Sequence, residues 1–263
     1  MLPLAAWPIE ARTQLVGVFT DIDDTLTTEG AVTPDALDAM SALQAAGLKL
    51  VAVTGRPVGW SEPFASVWPV DAIVAENGAV ALLPAADGKI EKRYMQDAPT
   101  RTANFERMRA VLAHIEREIP PARRAADSAG RECDIAIDHS EFTRLDDATI
   151  AQVAGLMRSE GMHATVSSIH INGWYGEHNK LEGARWIVRE LWARPLDDEM
   201  QRWAYVGDST NDALMFEHFV HSVGVANVRR FETALAHLPR YVAPSERGAG
   251  FAEVAAAILQ ARG

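Results

Sequence analysis

The hydrophobic pattern alternates between short apolar runs and longer amphipathic segments, which predicts strands followed by helices. The apolar run 15–19 comes first, and a helix follows it, because Thr33 and Pro34 form a favourable helix start and Gly47 a favourable end. Later strands are predicted at 48–53, 72–75, 80–83, 203–206 and 222–225, with helices at 181–192 and 251–259. This order predicts an α/β fold with a doubly wound, Rossmann-like parallel sheet.

The middle of the chain has a different pattern, which predicts a second, smaller α/β unit. Residues 84–88 are typical of a linker, and an amphipathic helix is predicted over 100–119. Further elements are predicted at 133–137 (strand), around 150–157 (helix), and at 163–166 and 169–174 (strands). Because the first pattern then returns, we predict a core of residues 1–84 and 176–263 with an inserted unit of residues 85–175.

Composition and charge narrow the function classes. The 263 residues are 48% hydrophobic and carry a formal net charge of -11. An acidic chain of this kind is expected to bind neither nucleic acid nor an anionic membrane, because phosphate backbones are held by clustered Lys and Arg. The single cysteine, Cys133, cannot form an internal disulfide and is expected to be a small core residue. No long apolar segment or signal sequence is evident. We therefore expect a soluble protein of the cytoplasm.

Two carboxylates, Asp21 and Asp23, follow the first predicted strand directly. Residues two positions apart on a strand point to the same side, and ligands of open α/β sheets bind beyond the carboxyl ends of the strands. One carboxylate can attack phosphorus while its neighbour protonates a leaving alcohol and later deprotonates water. Two such charges also favour Mg²⁺, which prefers carboxylate oxygens together with substrate phosphate. The pair therefore indicates phosphoryl transfer, although an Asp-x-Asp pair also occurs by chance in acidic chains.

Three further polar residues occupy positions comparable to that of the Asp21 and Asp23 pair. Thr54 and Asp208 each follow a predicted core strand, and Lys180 opens the helix after the insertion. A parallel sheet would bring these strand ends to one edge, where a hydroxyl, a cation and carboxylates could serve a phosphate. Taken alone, the segment 54–56 would more often be a turn with Pro57 starting a helix, and Asp208 or Asp212 could simply cap a helix.

In this combination the chain resembles the haloacid dehalogenase superfamily of phosphatases over nearly its whole length. The motifs that carry the resemblance are Asp21-Ile22-Asp23-Asp24-Thr25, Thr54-Gly55-Arg56, Lys180 and Gly207-Asp208-Ser209-Thr210-Asn211-Asp212. The insertion and the Asn77-Gly78-Ala79 turn are similar to the subgroup with α/β caps that includes sucrose-phosphate, trehalose-phosphate and mannosyl-phosphoglycerate phosphatases.

The resemblance implies specific roles and a magnesium cofactor. Asp21 would be the nucleophile and Asp23 the general acid/base, with Thr54 and Lys180 completing the catalytic set. The implied metal group is Asp21, Asp23 through its backbone carbonyl, Asp208 and Asp212. The implied substrate-binding group is Thr54, Gly55, Arg56 and Asn211. The substrate would be a small phosphorylated metabolite, by subgroup analogy a sugar phosphate, hydrolysed through an aspartyl-phosphate.

The sequence departs from the family pattern at two points. Asp24 stands where many relatives have glycine, and Lys180 is followed by Leu181 where relatives often have glycine. Alternatives to a phosphatase are a phosphomutase of the same architecture and a catalytically inactive binding protein. Secreted acid phosphatases share the Asp-Asp-Thr variant but carry a leader that is not evident here.

Several polar residues could either serve the site or have ordinary structural roles. Arg56 could reach substrate or form a core salt bridge. His178 could line the entrance to the site, but a position in a surface loop is expected. Polar residues on or near strands of the insertion could recognise the leaving group of the substrate or simply face solvent. They are Arg131, Asp138, His139, Glu141, His170, Asn172 and Trp174.

Overall fold

A computed structural model describes residues 1–85 and 87–263 of the chain. Its strands are, in chain order, β1 (Leu2–Pro3), β2 (Gly17–Thr20), β3 (Thr27–Thr28), β4 (Ala31–Val32), β5 (Lys49–Val53), β6 (Ala72–Ala75), β7 (Val80–Pro84), β8 (Ile90–Tyr94), β9 (Arg123–Arg124), β10 (Ile135–Asp138), β11 (His163–Val166), β12 (His170–Trp174), β13 (Trp203–Gly207), β14 (His221–Gly224) and β15 (Tyr241–Val242). Its helices are α1 (Ile9–Thr13), α2 (Pro34–Ala45), α3 (Val58–Ala65), α4 (Ala98–Glu118), α5 (Asp147–Ser159), α6 (Lys180–Trp192), α7 (Ala213–His218) and α8 (Arg247–Gln260).

The larger layer is a nine-stranded sheet, traced through the described residues in the order β1-β15-β14-β13-β2-β5-β6-β7-β8. The strands from β1 to β6 in this order are parallel, whereas β7 and β8 are antiparallel to their neighbours. Buried residues alternate between the two faces, so that Val18 packs with α2 and α8 while Phe19 packs with α6 and α7. Helices on both faces confirm the predicted doubly wound α/β fold.

The inserted unit is a second layer with its own apolar core. Its antiparallel sheet has the order β11-β12-β10-β9, and α4 and α5 pack against it through Met108, Ile115 and Met157. We call this unit the cap. Within the described residues no helix is long and apolar enough to cross a membrane.

The core sheet extends beyond the predicted boundary at residue 84. β8 pairs with β7 in the core sheet, so the chain leaves the core only after Tyr94. The predicted linker 84–88 instead lies at a hairpin connection, and its residue 86 is outside the described residues. The polar strand Ile90–Tyr94 is the last strand of the sheet as traced through the described residues. An edge strand does not need the apolar pattern of a central strand.

Candidate active site

The carboxyl ends of three neighbouring strands bring the predicted residues together. Asp21, Thr54 and Asp208 directly follow β2, β5 and β13, which are adjacent in the sheet. All three residues are at most 3% exposed. The predicted convergence at one edge of the sheet is therefore present in the structure.

Asp21 is held by a backbone donor and by a lysine. Its Oδ1 accepts a hydrogen bond of 2.8 Å from the Ile22 N–H, and its Oδ2 lies 2.9 Å from Lys180 Nζ. Burial raises the pKa of Asp21 to about 7, against the lowering effect of Lys180, and the nearby Asp212 carboxylate contributes to the rise. The carboxylate is thus fixed in position but costly to ionise in the absence of further positive charge.

Lys180 joins two carboxylates at the start of α6. Its Nζ is 2.9 Å from Asp21 Oδ2 and donates to Asp212 Oδ1 at 2.7 Å. Burial lowers the pKa of Lys180, but the two carboxylates outweigh this effect and raise it above its ordinary value. Asn179 caps α6 by accepting from the Glu182 N–H, which fixes the helix start that presents the lysine.

Asp212 has all of its acceptor positions engaged. Lys180 Nζ and the Tyr205 hydroxyl donate to Oδ1, while the backbone N–H groups of Asp208 and Ser209 donate to Oδ2 at 2.8 and 3.1 Å. A carboxylate offers about four lone-pair sites. Asp212 therefore fixes both the lysine and the loop after β13.

Asp208 has a less complete set of partners. Its Oδ2 accepts from Asn227 Nδ2 at 3.0 Å, and its Oδ1 lies 3.5 Å from the Thr25 hydroxyl. Burial raises the pKa of Asp208 well above its ordinary value, and the charges of Asp212 and Asp21 add to this shift. Carboxylate oxygens of Asp21, Asp208 and Asp212 lie within 4.8 Å of one another, so these residues could hold a metal ion.

The side chain of Asp23 lies outside this carboxylate group and is held by Arg56. Arg56 Nε donates to both oxygens of Asp23 at 2.9 Å. The guanidinium also contacts Asp127 and Glu141 of the cap and lies over the ring of Trp60. Arg56 therefore forms a salt bridge, one of its two predicted roles, and this bridge joins core and cap.

The remaining predicted substrate-binding residues differ in their surroundings. Thr54 is buried, and its hydroxyl oxygen accepts from the Arg56 N–H at 3.0 Å. The Gly55 carbonyl accepts from the cap residues Arg131 and Asn172. Asn211 is half-buried, and its side chain accepts from the Ser209 hydroxyl. The structure thus places Thr54 and Gly55 at the sheet edge, while Asn211 orders the loop after β13.

Asp24, the departure from the family pattern, has the backbone conformation that glycine normally provides. Its φ is 53°, in the left-handed region. Its side chain forms an ion pair of 2.9 Å with Arg247, and its carbonyl accepts from Asn227 Nδ2 at 3.0 Å. Aspartate tolerates this conformation better than most residues. These contacts turn the extra carboxylate toward the start of α8.

The polar cap residues are more buried than the pattern of a half-exposed strand indicates. Asp138 accepts from four backbone N–H groups, those of Ser140, Glu141, Phe142 and Thr143. The other cap residues named from the sequence are at most 8% exposed, except the half-buried Glu141; they are Arg131, His139, His170, Asn172 and Trp174. The expectation of solvated side chains is wrong here, because Arg131 and Asn172 donate to the Gly55 carbonyl of the core, while Trp174 packs in the apolar core of the cap.

Two further sequence expectations can be compared with the structure. His178 is 4% exposed and stacks on Trp174, so the expectation of a surface-loop histidine is wrong. Burial lowers the pKa of His178 to about 4. Cys133 is buried, as expected of a small core residue.

The sequence reasoning missed a buried contact between the Asn77 turn and the cap. Glu76 accepts from the backbone N–H groups of Val58, Glu132 and Cys133. Asn77 Nδ2 donates to Asp134 at 3.3 Å. The sequence does show the adjacent Asn-Gly turn, but the cap partners of Glu76, Glu132 and Cys133, lie 56 and 57 positions away.

Comparisons with known proteins agree with the fold. Residues 18–105 match the family of haloacid dehalogenase-like hydrolases. No curated protein matches the sequence. Among solved structures, protein 0175 of Thermoplasma acidophilum has a TM-score of 0.70 and 16% identity, covering 93% of this chain and 99% of its own.

Two further structures have the same fold. A HAD/COF-like hydrolase from Plasmodium vivax has a TM-score of 0.68 and 14% identity, covering 96% of this chain and 99% of its own. The sucrose-phosphatase of Synechocystis sp. PCC6803, solved with sucrose and phosphate, has a TM-score of 0.65 and 17% identity, covering 93% and 98%. At these identities the likeness concerns the fold.

Proposed function

We propose that this chain, whose residues 18–105 match the haloacid dehalogenase-like hydrolases, is a Mg²⁺-dependent phosphatase that acts on a small phosphorylated metabolite. The observation that carries the proposal is the buried group formed by Asp21, Lys180, Asp208 and Asp212 at the carboxyl ends of β2 and β13. Three acids around one lysine leave an excess of negative charge. A site of this kind suits a cation together with a phosphoryl group.

Asp21 is the proposed nucleophile. In the first step a carboxylate oxygen of Asp21 forms a bond to phosphorus while the bond from phosphorus to the leaving oxygen breaks, which gives an aspartyl-phosphate. Asp23, which enters this step protonated, gives its proton to the leaving oxygen, which departs as the alcohol, and Asp23 is left as a carboxylate. In the second step Asp23 takes a proton from water, the water oxygen attacks phosphorus, and inorganic phosphate and free Asp21 result.

The other core residues stabilise charge in both steps. Lys180 offsets charge on Asp21 and on the phosphoryl oxygens, and Asp212 holds the lysine at 2.7 Å. The Thr54 hydroxyl would donate to a phosphoryl oxygen. These groups are buried, so their interactions with the phosphoryl group are weakly screened by solvent.

The carboxylates fit a magnesium ion. Asp21 and Asp208 retain acceptor positions and would hold it, together with the backbone carbonyl of Asp23, while the engaged Asp212 fixes the surrounding loop. When bound, the ion neutralises phosphoryl charge and orients the phosphoryl group.

A sugar phosphate is the substrate class we favour. A cavity of about 510 Å³ opens beside the site and is lined by Asp23, Arg56, Glu141 and Phe142, among other residues. Hydrogen-bonding groups together with an apolar side chain suit a polyhydroxylated leaving group. The structural similarity to a sucrose-phosphatase supports the same class.

The test is phosphate release from a panel of sugar phosphates and other small phosphate esters, with Mg²⁺ and with EDTA. The Asp21→Asn variant should abolish Mg²⁺-dependent release, and mass spectrometry of the trapped wild type should locate one phosphoryl group on Asp21. Asp71→Asn is the matched control, because this half-buried carboxylate binds the Leu50 N–H at the opposite edge of the sheet. Retained activity in Asp21→Asn would refute the nucleophile assignment.

A further inference from the structure

Arg56 is held by carboxylates from both parts of the molecule. From the core, both carboxylate oxygens of Asp23 accept from Arg56 Nε at 2.9 Å. From the cap, Glu141 Oε1 lies 2.8 Å from Arg56 Nη2, and Asp127 Oδ2 lies 3.3 Å from Nη1. The arginine side chain is 5% exposed. The geometry of Asp23 therefore depends on a guanidinium whose other carboxylate partners belong to the cap.

Glu141 is itself positioned by the cap. Asp138, at the end of β10, accepts from the backbone N–H groups of residues 140–143 and so fixes the turn that carries Glu141. Glu141 Oε2 is 2.9 Å from His170 Nε2 on the neighbouring strand β12. With one oxygen toward His170 and the other toward Arg56, the carboxylate has a defined orientation.

A contiguous chain of contacts thus runs from the cap sheet to the side chain of Asp23. A proton donor must lie within hydrogen-bond reach of the atom it serves, and small displacements are costly. A residue that contacts a catalytic group but not the substrate can still fix the orientation of that group. In metal sites, residues that hydrogen-bond to the ligands orient those ligands in the same way.

We propose that Glu141 is a positioning residue for Asp23, acting through Arg56, so that seating of the cap aligns the acid/base for proton transfer to the leaving group. The inference rests on the proposed phosphatase function. It assigns to one cap residue a role in proton transfer, in addition to whatever contacts the cap makes with substrate.

The test compares leaving groups in a single turnover. Glu141→Gln keeps the size of the side chain but removes its charge. Glucose 6-phosphate has a poor leaving group, the sugar alcohol, and release of this alcohol should slow by about tenfold or more. The nitrophenol of p-nitrophenyl phosphate needs little protonation to leave, so its release should change by less than about threefold. The control is Glu116→Gln, because Glu116 is a cap glutamate of similar exposure that pairs with Arg124, at 2.9 Å, and lies outside the site.

A double-mutant cycle tests whether Glu141 acts through Arg56. In an Arg56→Lys background, which removes the bidentate hold on Asp23, the Glu141→Gln change should slow alcohol release by less than about twofold further. An equal slowing with both leaving groups, or a full additional effect in the Arg56→Lys background, would overturn the inference while leaving the phosphatase function standing. A wild type without phosphate release from any ester would instead overturn the proposed function and this inference with it.

Discussion

Replacing Lys180 with methionine removes the cation beside the proposed nucleophile. Lys180 Nζ lies 2.9 Å from Asp21 and 2.7 Å from Asp212, and all three side chains are at most 5% exposed. At an effective dielectric constant of ~20, each contact contributes an attraction of roughly 6 kcal/mol, much of which offsets the cost of burying the ammonium group. Loss of one member of a buried ion pair typically costs about 3–5 kcal/mol, because the remaining charge is unpaired.

We therefore expect the Lys180→Met variant to lose about 3–5 kcal/mol of unfolding free energy, measured by urea denaturation in EDTA at pH 8. The rate of phosphate release in Mg²⁺ should fall by roughly a hundredfold or more, because charge stabilisation at the phosphoryl oxygens is lost. The wild type and the variant are compared under identical salt and metal conditions.

Lys92→Met is the matched control. Lys92 also has two carboxylate partners, Glu62 at 2.9 Å and Glu132 at 3.4 Å, but its side chain is 29% exposed. Solvent screening should limit this loss to about 1 kcal/mol or less. Equal losses in the two variants, or a loss below about 1 kcal/mol for Lys180→Met, would refute the argument that burial makes the catalytic pair strong.

Three further predictions concern pH, backbone geometry and the cap. Without metal, the raised Asp21 pKa, from 3.8 to about 7, makes the folded state bind more protons than the unfolded state. The stability that Asp21 contributes is present below pH 3.8 and is lost as the pH rises to about 7. In EDTA, the unfolding free energy of Asp21→Asn, measured by urea denaturation, should therefore depend less on pH than that of the wild type. An unchanged dependence on pH would contradict this assignment. Gly78→Ala should lower the unfolding free energy by about 3 kcal/mol or more, because φ is 107° and a Cβ would lie 2.2 Å from the Asn179 carbonyl oxygen. Gly47→Ala is the control: φ is 78° but the space around it is open, so the loss in the same denaturation assay should be only about 1 kcal/mol. Asp138→Ala should lower the unfolding free energy by about 2–3 kcal/mol, because four partly buried backbone N–H groups lose their common acceptor. An unchanged Tm in thermal unfolding would exclude that role.

The outline of the site could be predicted because it depends on local signals. Asp21, Thr54 and Asp208 each follow an apolar strand, and parallel strands place their carboxyl ends at one edge. Lys180 is different, since it lies far from Asp21 in sequence and no local pattern links them. Its place at the site was expected because a phosphate site needs a cation and because the family resemblance implies one there, and the structure places Lys180 Nζ 2.9 Å from Asp21.

Other features could not be predicted because they depend on how the cap lies on the core. A polar residue on a strand has the same local pattern whether its face meets water or another sheet, so Asn172 and His170 gave no sign of their burial. The strand Ile90–Tyr94 was not predicted for a related reason. A strand at the edge of a sheet can be polar, and a polar segment does not show the apolar pattern by which strands are predicted.

The sequence by itself determined the doubly wound core, the inserted unit and the acids at the strand ends, because each follows from periodicity or from residues adjacent in the chain. Only the tertiary structure decided that the proposed acid/base Asp23 is held by Arg56, 33 positions away, and Arg56 by Glu141, 85 positions away. The physical reason is that these contacts require the cap and the core to pack in one orientation, and burial then makes the charges interact strongly.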